Sequence, residues 1–299
     1  MTAKAPILVN RSRARFLWER VSERFWAAAL RRTRAGRDFD FYVRPGDLVG
    51  NITIANGLFE RHEIQALQYL VQLGRSKDPH SKPGVFLDVG ANIGAHSVAL
   101  SSRFAEVIAF EPNPIVANIL RANLAQNRCL NVKVVEKALG AEPSRATLFS
   151  IEKWNIGMAL LTSSEGAEEI ATVDVVRGDD ILANLVQQGV RVELLKIDVE
   201  GHEPYALQGL MNTLTAHQPL IAFEVRGTDV ANEITRILTS AGYRYFYWVE
   251  RPKRRAIMGR LGRVLELIWL GANIQLTPIE TFSDTFYSMV LATAAPIDC

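Results

Sequence analysis

Cysteines and long apolar runs are both scarce in this sequence. Among 299 residues there are two cysteines, Cys129 and Cys299. Two cysteines cannot build a disulfide framework, and these two lack the spacing of a metal-binding motif. No apolar run reaches the roughly 18 residues of a membrane-spanning helix. The N-terminus also lacks the uninterrupted apolar stretch of a secretory signal. We therefore expect a protein of a reducing, cytoplasmic compartment.

Basic charge is concentrated at the N-terminus. Residues 1–37 carry ten Lys and Arg residues and two Glu residues, whereas the rest of the chain is net acidic. Leu17, Val21 and Phe25 recur there at helical spacing. Such a basic amphipathic helix either lies on an anionic membrane surface or packs on the main domain with its arginines in water. We treat residues 1–56 as a basic, helical N-terminal extension and residues 57–299 as the main domain.

Apolar strand segments alternate with amphipathic helices from about residue 60 onward. This alternation is typical of an α/β protein with a doubly wound, Rossmann-like sheet that has helices on both faces. We predict a seven-stranded sheet, mostly parallel, with an antiparallel last strand. Its strands are expected at 85–87, 107–110, 132–135, 194–199, 220–225, 243–249 and 286–292.

Two segments interrupt the alternation. Residues 144–178 contain alternating stretches that predict a small additional hairpin. The segment 250–280 opens with basic residues and continues into an apolar run. If the strand before it runs parallel to the others, this insert leaves from the active-site face of the sheet and acts there as a lid or as a substrate-binding element. A peripheral helix or an interface between subunits explains the same composition equally well.

A glycine-rich turn follows the first predicted strand, in the stretch 86–94. Its glycines are Gly90 and Gly94, with Asn92 between them, so the third glycine of a dinucleotide fingerprint is missing. Asp88 adds a carboxylate just before the turn, which is unfavourable for phosphate and suited to a cation. The pattern therefore indicates a positively charged nucleoside without phosphates, a description that S-adenosylmethionine (SAM) satisfies.

A second acidic residue, Glu111, ends the next predicted strand. An acid at this position binds the ribose hydroxyls of an adenosine in Rossmann-like folds. The alternative is an acid favoured by the dipole of the helix that follows. The order and spacing of Asp88 and Glu111 together favour ribose binding.

The stretches 88–94, 110–114 and 196–201 resemble the FkbM family of SAM-dependent methyltransferases. The resemblance runs from about residue 57 to residue 225 and implies that hydroxyl oxygens, often on sugars or secondary metabolites, are methylated. It also implies that Glu111 binds ribose, that Ala138 and Leu139 lie against adenine, and that Asp198 lies beside the sulfonium. The cofactor-binding residues implied are Glu60, Asp88, Gly90, Ala91, Asn92, Gly94, Glu111, Pro112, Asn113, Ala138, Leu139 and Asp198.

Titratable side chains cluster after the fourth predicted strand. The candidate catalytic residues are Asp198, Glu200 and His202, and a positioned base among them would take the proton of an acceptor hydroxyl. His202 titrates nearest to neutral and is a candidate base, although a surface histidine at a helix start explains it equally well. Glu203 is expected to serve the helix dipole, and Glu224 is a further pocket candidate. The cluster could hold a divalent cation, but no metal site is predicted.

The function expected from these patterns is methyl transfer from SAM to a hydroxyl of a sugar, glycolipid or secondary metabolite. Two alternatives stay open: a methyltransferase-fold binding protein without catalysis, and a methyltransferase that acts on nucleic acid or protein. A nucleic-acid partner is not expected, because the chain is net acidic outside its N-terminus and has no recognisable nucleic-acid-binding module. Peripheral membrane contact and a homo-oligomer are left open.

Overall fold

The computed structural model describes residues 38–44, 46–77, 84–150, 159–161, 167–250 and 275–297. The basic helix predicted within residues 1–37 lies outside these ranges, as do residues 251–274 of the insert. Among the described helices, none is both long and apolar enough to cross a membrane.

Helices and strands alternate along most of the described chain. The helices are α1 (Leu48–Asn56), α2 (Arg61–Lys77), α3 (Ala95–Leu100, extended by a 3-10 turn at Ser101–Arg103), α4 (Pro114–Gln126), α5 (Gly178–Gln187), α6 (Glu203–Gln208), α7 (Met211–His217) and α8 (Thr228–Ser240). The strands are β1 (Val85–Val89), β2 (Glu106–Phe110), β3 (Val132–Val135), β4 (Ala138–Leu139), β5 (Ser144–Ser150), β6 (Ala159–Leu160), β7 (Glu168–Val176), β8 (Val192–Ile197), β9 (Leu220–Arg226), β10 (Tyr245–Glu250), β11 (Gln275–Pro278) and β12 (Phe286–Thr293).

The main sheet has the order β11-β10-β12-β9-β8-β1-β2-β3. Strands β3, β2, β1, β8 and β9 are parallel to one another, and β12 is antiparallel to both β9 and β10. The predicted α/β class and the antiparallel last strand are therefore confirmed. The predicted count of seven strands is wrong by one, because residues 275–278 of the insert pair with the edge of β10 as β11. A strand of four residues carries too little periodicity to be found in the sequence.

Helices cover both faces of this sheet, as a doubly wound fold requires. On one face, Leu87 of β1 belongs to a core cluster that includes buried residues of α5, α6, α7 and α8. On the other face, Phe86 packs in a cluster with Leu67 of α2 and Leu100 of α3. Because side chains alternate along a strand, one apolar strand contributes to two cores.

The predicted hairpin within residues 144–178 is part of a second sheet of order β4-β7-β5-β6. Strands β5 and β7 are antiparallel, whereas the two-residue strand β4 pairs parallel with β7. Ala138 of β4 is buried there with Leu148 and Val173. The small sheet therefore holds the chain that leaves β3, and it fixes β4 beside the carboxyl end of the main sheet.

The segment before α1 packs against the main domain. Phe39 and Phe41 contact the apolar clusters beneath α3 and α4. The backbone N–H of Tyr42 donates to the Asn123 side chain at 2.6 Å, and Asn123 in turn donates to the Ile93 carbonyl at 2.8 Å. The described part of the N-terminal region is therefore tied to the glycine-rich turn.

Gly90 lets two parts of the backbone meet at the carboxyl end of the sheet. Its φ of 77° is in the left-handed region, and a Cβ at this position would lie 1.8 Å from the carbonyl oxygen of Asp198. A backbone atom cannot move aside as the end of a side chain can. The turn after β1 and the loop after β8 thus require glycine here for their close approach.

We expect Gly90→Ala to lower the free energy of unfolding by more than about 4 kcal/mol, because the substitution adds a backbone clash to the left-handed strain. Gly189→Ala is the matched control: Gly189 has a φ of 72°, but nothing lies within 4 Å of the position of its Cβ. This control should cost only about 1–2 kcal/mol. Urea denaturation of both variants measures the difference. Equal losses would contradict the close approach of the two loops.

Candidate active site

The register of the main sheet brings charged side chains to one face. Asp88 of β1 is paired directly with Lys196 of β8, and Lys196 is paired with Ala222 of β9. Asp198 follows Lys196 by two residues, and Glu224 follows Ala222 by two residues. Because side chains alternate along a strand with a period of two, both carboxylates lie on the same face of the sheet as Lys196. The three central strands therefore deliver one lysine and three carboxylates to a single place at their carboxyl ends.

Lys196 lies at the centre of this cluster. Its ammonium nitrogen is 3.2 Å from Oδ2 of Asp198 and 4.0 Å from Oδ1 of Asp88, and it donates a hydrogen bond of 3.2 Å to the Gly90 carbonyl. Burial alone would lower the pKa of Lys196, but the carboxylates of Asp198, Asp88 and Glu60 raise it above its usual value. Lys196 therefore stays charged.

Asp88 lies beneath the glycine-rich turn and has no exposed surface. Its Oδ2 accepts a hydrogen bond of 2.6 Å from the Ser97 hydroxyl, while Oδ1 has only the nearby charge of Lys196. Burial is the main reason that the pKa of Asp88 is raised. Asp88 is not one of the described residues that line the two cavities at this end of the sheet. Its position thus suits support of the turn rather than direct contact with a ligand.

Glu60 and Glu200 both have a backbone that non-glycine residues rarely adopt. Their φ values are 50° and 52°, a conformation that costs energy and is found preferentially at functional sites. Glu60 is the last residue before α2, and its Oε2 lies 3.6 Å from Nδ1 of His96. Burial holds the pKa of His96 well below its usual range, so this contact joins a carboxyl group to a neutral imidazole.

Carboxylate oxygens of Glu60, Asp198 and Glu224 lie within 4.8 Å of one another. Burial and the charge of Asp198 raise the pKa of Glu60 to about 8. Burial and the charges of Asp198 and Glu200 raise the pKa of Glu224 to about 7. Lys196 offsets part of the negative charge of these carboxylates. Protons on Glu60 and Glu224 offset a further part of it near neutral pH.

One cavity, the inner cavity, lies between the glycine-rich turn and the small sheet. Glu111 is fixed at its edge, because Oε2 accepts from the Asn92 N–H and Oε1 accepts from the Asn113 N–H, both at 2.9 Å. Burial raises the pKa of Glu111 to about 7, although these two N–H groups oppose the shift. The apolar part of the wall comes from Phe110, Ala138, Leu139, Leu148 and Leu161.

His202 also lines the inner cavity, at the start of α6. Its ring stacks on Tyr205 with centroids 4.7 Å apart, and its buried Nε2 has no hydrogen-bond partner. A Cβ on Gly140 would lie 3.6 Å from that nitrogen. Burial lowers the pKa of His202, which favours the neutral ring. The structure thus places His202 on the β4 side of the site, away from Glu224.

Glu203 has a local structural task. Its Oε1 accepts hydrogen bonds of 3.1 Å from the backbone N–H groups of Val199 and Gly201. The loop after β8 therefore folds around a buried carboxylate at the start of α6, as expected for an acid near a helix N-terminus.

A second cavity, the outer cavity, opens beside the acidic cluster that Glu60, Asp198 and Glu224 form. Leu48, Ile52 and Phe59 give it an apolar wall, and Glu60, Glu224 and Arg226 give it a charged one. The Arg226 guanidinium lies 4.4 Å from the centroid of the Phe286 ring, and its Nε donates to Glu224 at 3.2 Å. This wall combines hydrogen-bonding carboxylates with an exposed aromatic ring and a cation.

The two cavities meet at Asn92, Asp198 and Glu200, which line both. Of the other predicted residues, Gly90, Glu111, Pro112, Ala138, Leu139 and His202 line the inner cavity, and Glu60 lines the outer one. Ala91, Gly94 and Asn113 support the turns: Ala91 and Asn113 are buried, and a Cβ on Gly94 would lie 2.5 Å from a methyl group of Leu120.

Sequence reasoning missed Lys196 as a site residue and gave Glu224 little weight. A signal for Lys196 is present, since a lysine inside the apolar run Leu194–Val199 can be buried only with a charged partner. Glu224 likewise interrupts an apolar strand. Their proximity depends on the register between β8 and β9, which the sequence does not show.

We expect Lys196→Met to lower the free energy of unfolding by about 3–5 kcal/mol at pH 8, because it leaves buried carboxylates without their cation. At pH 5.5 the loss should be smaller, since carboxyl groups with raised pKa values then bind protons in the folded state. Lys133→Met is the control: this exposed lysine pairs with Glu106 on the sheet edge, and its loss should cost less than about 1 kcal/mol. Urea denaturation at both pH values tests this, and a loss independent of pH would count against the cluster.

Comparison with known proteins adds to this geometry. The methyltransferase FkbM domain matches residues 88–245, more than half of the chain. Hexuronic acid methyltransferase AglP of Haloferax volcanii is 33% identical over 159 residues, which cover 52% of this chain and 62% of that protein. Methyltransferase sdnD of Sordaria araneosa is 29% identical over 153 residues, which cover 42% and 59%. The chain thus spans about three fifths of the length of these relatives.

A solved structure of methyltransferase FkbM from Methylobacillus flagellatus aligns with a TM-score of 0.42 and 16% identity over 83% of this chain and 60% of that one. The match over residues 88–245 includes both acidic strand ends and the loop after β8. The chain belongs to the FkbM family of methyltransferases.

Proposed function

We propose that this protein transfers the methyl group of SAM to a hydroxyl oxygen of a sugar, and that it prefers an acidic sugar. The observation that carries the proposal is the meeting of the two cavities at Asp198 and Glu200. A nucleoside in the inner cavity and an acceptor in the outer cavity would come together at these two carboxylates. Alignment of the oxygen, the methyl carbon and the sulfur is the main requirement of this reaction.

The residues of the inner cavity fit SAM. The Glu111 carboxylate is oriented by two backbone N–H groups and keeps lone pairs for two ribose hydroxyls. Leu139 and Phe110 provide an apolar surface for adenine, and the unpartnered Nε2 of His202 is a polar group that a ring nitrogen or amine could satisfy. When bound, SAM supplies a methyl group on a positively charged sulfur.

The charge of the cluster also suits a cationic cofactor. Asp198 lies at the junction, and its own cation, Lys196, is shared with Asp88. The cluster has more carboxylates than cations, since Glu60, Asp198 and Glu224 lie close together and Lys196 is the cation paired with Asp198. A sulfonium or ammonium group placed here would offset that excess, whereas a phosphate would add to it.

The walls of the outer cavity support a sugar acceptor. Carboxylates such as Glu60 and Glu224 accept hydrogen bonds from hydroxyl groups, and Phe286 offers a ring face to the apolar side of a sugar. Arg226 and Arg61 add cations that could bind a carboxylate. The relative AglP carries the name of a hexuronic acid methyltransferase, and we extend that acceptor class to this chain as part of the proposal.

Within this proposal, His202 binds the cofactor and does not act as the base. His202 lines the inner cavity together with Leu139, and it is not one of the described residues that line the outer cavity. Asp198 and Glu200, which the sequence predicts as catalytic residues, line both cavities. The carboxylates of the outer cavity remain as the groups nearest to an acceptor hydroxyl.

Glu111→Gln should weaken the binding of S-adenosylhomocysteine by about tenfold to a hundredfold, the loss of one or two hydrogen bonds to a charged group. The amide also turns a donor toward the N–H group of Asn92 or Asn113. Isothermal titration calorimetry measures the change. Glu136→Gln, which alters an exposed acid just after β3, is the matched control and should bind normally. No binding by folded wild-type protein would refute the cofactor assignment.

Wild-type enzyme should use methyl α-D-glucuronide with a kcat/KM about tenfold above that for methyl α-D-glucoside, a difference of about 1.4 kcal/mol. Arg226→Met should reduce this preference to less than about threefold, because it removes the cation that binds the carboxylate. A change in the rate of methyl transfer would affect both sugars alike. The ratio of their kcat/KM values therefore reports on the binding of the carboxylate. Arg236→Met, an exposed change on α8, is the control. Mass spectrometry of the methylated sugars provides the measurement.

The outcome of this assay separates the acceptor classes. Equal use of both sugars would leave sugar methylation standing and remove the preference for acidic sugars. Binding of S-adenosylhomocysteine without methylation of either sugar would favour a different acceptor, such as nucleic acid or protein, or a binding protein without catalysis.

A further inference from the structure

Five acidic residues line the outer cavity: Glu60, Glu63, Asp198, Glu200 and Glu224. Glu63 is buried in the first turn of α2, which leaves the other four as carboxylates that could meet an acceptor hydroxyl. A general base must reach the hydroxyl, and it must be ionised yet basic enough to take the proton near neutral pH. Only one of these carboxylates meets all of the conditions.

Asp198 and Glu60 each fail one condition. Asp198 forms an ion pair of 3.2 Å with the ammonium of Lys196, so its carboxylate is already engaged and is not free to receive the acceptor proton. Glu60 lies against the neutral ring of His96 and near the charge of Asp198, and it holds a proton up to a pH of about 8. A carboxyl group that already carries its proton cannot accept another.

Glu200 and Glu224 differ in the backbone segment that carries them and in the cavities that they line. Glu200 lies in the loop after β8, has a left-handed backbone and faces both cavities. Glu224 lies within β9, next to Phe223, which is paired with both β8 and β12. Its carboxylate accepts a hydrogen bond of 3.2 Å from Arg226, and it lines the outer cavity but not the inner one. A carboxylate that is held by a neighbouring side chain and faces only the acceptor cavity is the better-positioned base.

We propose that Glu224 is the catalytic base that removes the proton from the acceptor hydroxyl, with Arg226 as the neighbour that orients its carboxylate. This inference rests on the proposed function. As the acceptor oxygen forms its bond to the methyl carbon, the hydroxyl proton moves to a carboxylate oxygen of Glu224. The carbon–sulfur bond breaks and its electron pair stays on sulfur, which becomes a neutral thioether. The proton on Glu224 then passes to solvent.

Charged groups on three neighbouring segments of the described chain face Glu224 and contribute to this role. Asp198 and Glu200 in the loop after β8 raise its pKa, and Arg226 on its own strand lowers it. Glu60, ahead of α2, is within 4.8 Å of it and is neutral below a pH of about 8. The balance leaves Glu224 ionised above a pH of about 7, while still basic enough to accept a proton.

The test uses methyl α-D-glucuronide as the acceptor and measures kcat between pH 5.5 and 9. For wild-type enzyme, kcat should rise with pH, level off above a pH of about 7 and be unaffected by EDTA. Glu224→Gln should lower kcat at pH 8 by about a hundredfold to ten-thousandfold and remove the rise. Its affinity for S-adenosylhomocysteine should stay within threefold of the wild-type value. Glu233→Gln, an exposed change on α8, is the control.

Several results would overturn the proposal. They are a Glu224→Gln variant that keeps more than a tenth of kcat, a Glu200→Gln variant that alone removes the pH-dependent rise, and loss of wild-type activity in EDTA with recovery in Mg²⁺. If Glu224→Gln fails to fold, Glu224→Asp decides: a tenfold loss of kcat with unchanged KM supports the base, and unchanged kcat refutes it. Wild-type enzyme that binds S-adenosylhomocysteine but methylates no sugar would refute the proposed function, and with it the reaction that Glu224 serves.

Discussion

The ammonium group of Lys196 is the interaction on which the rest of the site depends. It lies in the middle of the main sheet, where a charge is tolerated only with partners of opposite sign. By binding Asp198 and approaching Asp88, it joins the ends of β1 and β8. Its bond to the Gly90 carbonyl extends the same link to the glycine-rich turn. The turn, the loop after β8 and the acidic cluster are therefore held by one side chain.

One lysine does not neutralise all of the carboxylates, and protons make up part of the difference. The folded state raises the pKa of Glu60 to about 8 and that of Glu224 to about 7. Between the usual pKa of a carboxyl group and these values, the folded protein binds more protons than the unfolded one. The stability contributed by these protons is therefore present at mildly acidic pH and is lost as the pH rises toward 8. A cationic ligand at the junction would restore part of it.

The sequence was sufficient to predict the parts of the site that depend on local patterns. The glycine-rich turn, the acid at the end of β2 and the loop after β8 each follow directly from a strand that ends in a recognisable motif. Glu111 therefore lies in the inner cavity as expected. The α/β class followed from the alternation of strands and helices, which reflects burial on both faces of a parallel sheet.

Features that depend on register and on backbone strain could not be predicted. The position of Asp88 beneath the turn, with Ser97 and Lys196 as its partners, is one such feature. Glu224 reaches the site because β9 pairs with β8 in one particular register. His202, for which the sequence leaves a catalytic base and a surface histidine open, lies at the start of α6 near Gly140 and lines the inner cavity. Each of these positions is set by contacts between segments that are distant in sequence.

The two cavities draw on different parts of the chain, and this division bears on how such a protein diversifies. The inner cavity is built from the first strands, their loops and the small sheet, whereas α1, the start of α2 and the last strands supply most of the outer cavity. Substitutions of residues such as Leu48, Ile52 and Phe286, which line the outer cavity and not the inner one, can therefore accumulate without replacing a residue on the nucleoside side of the site. A lineage can exchange one acceptor for another while inheriting the remainder of its active site intact.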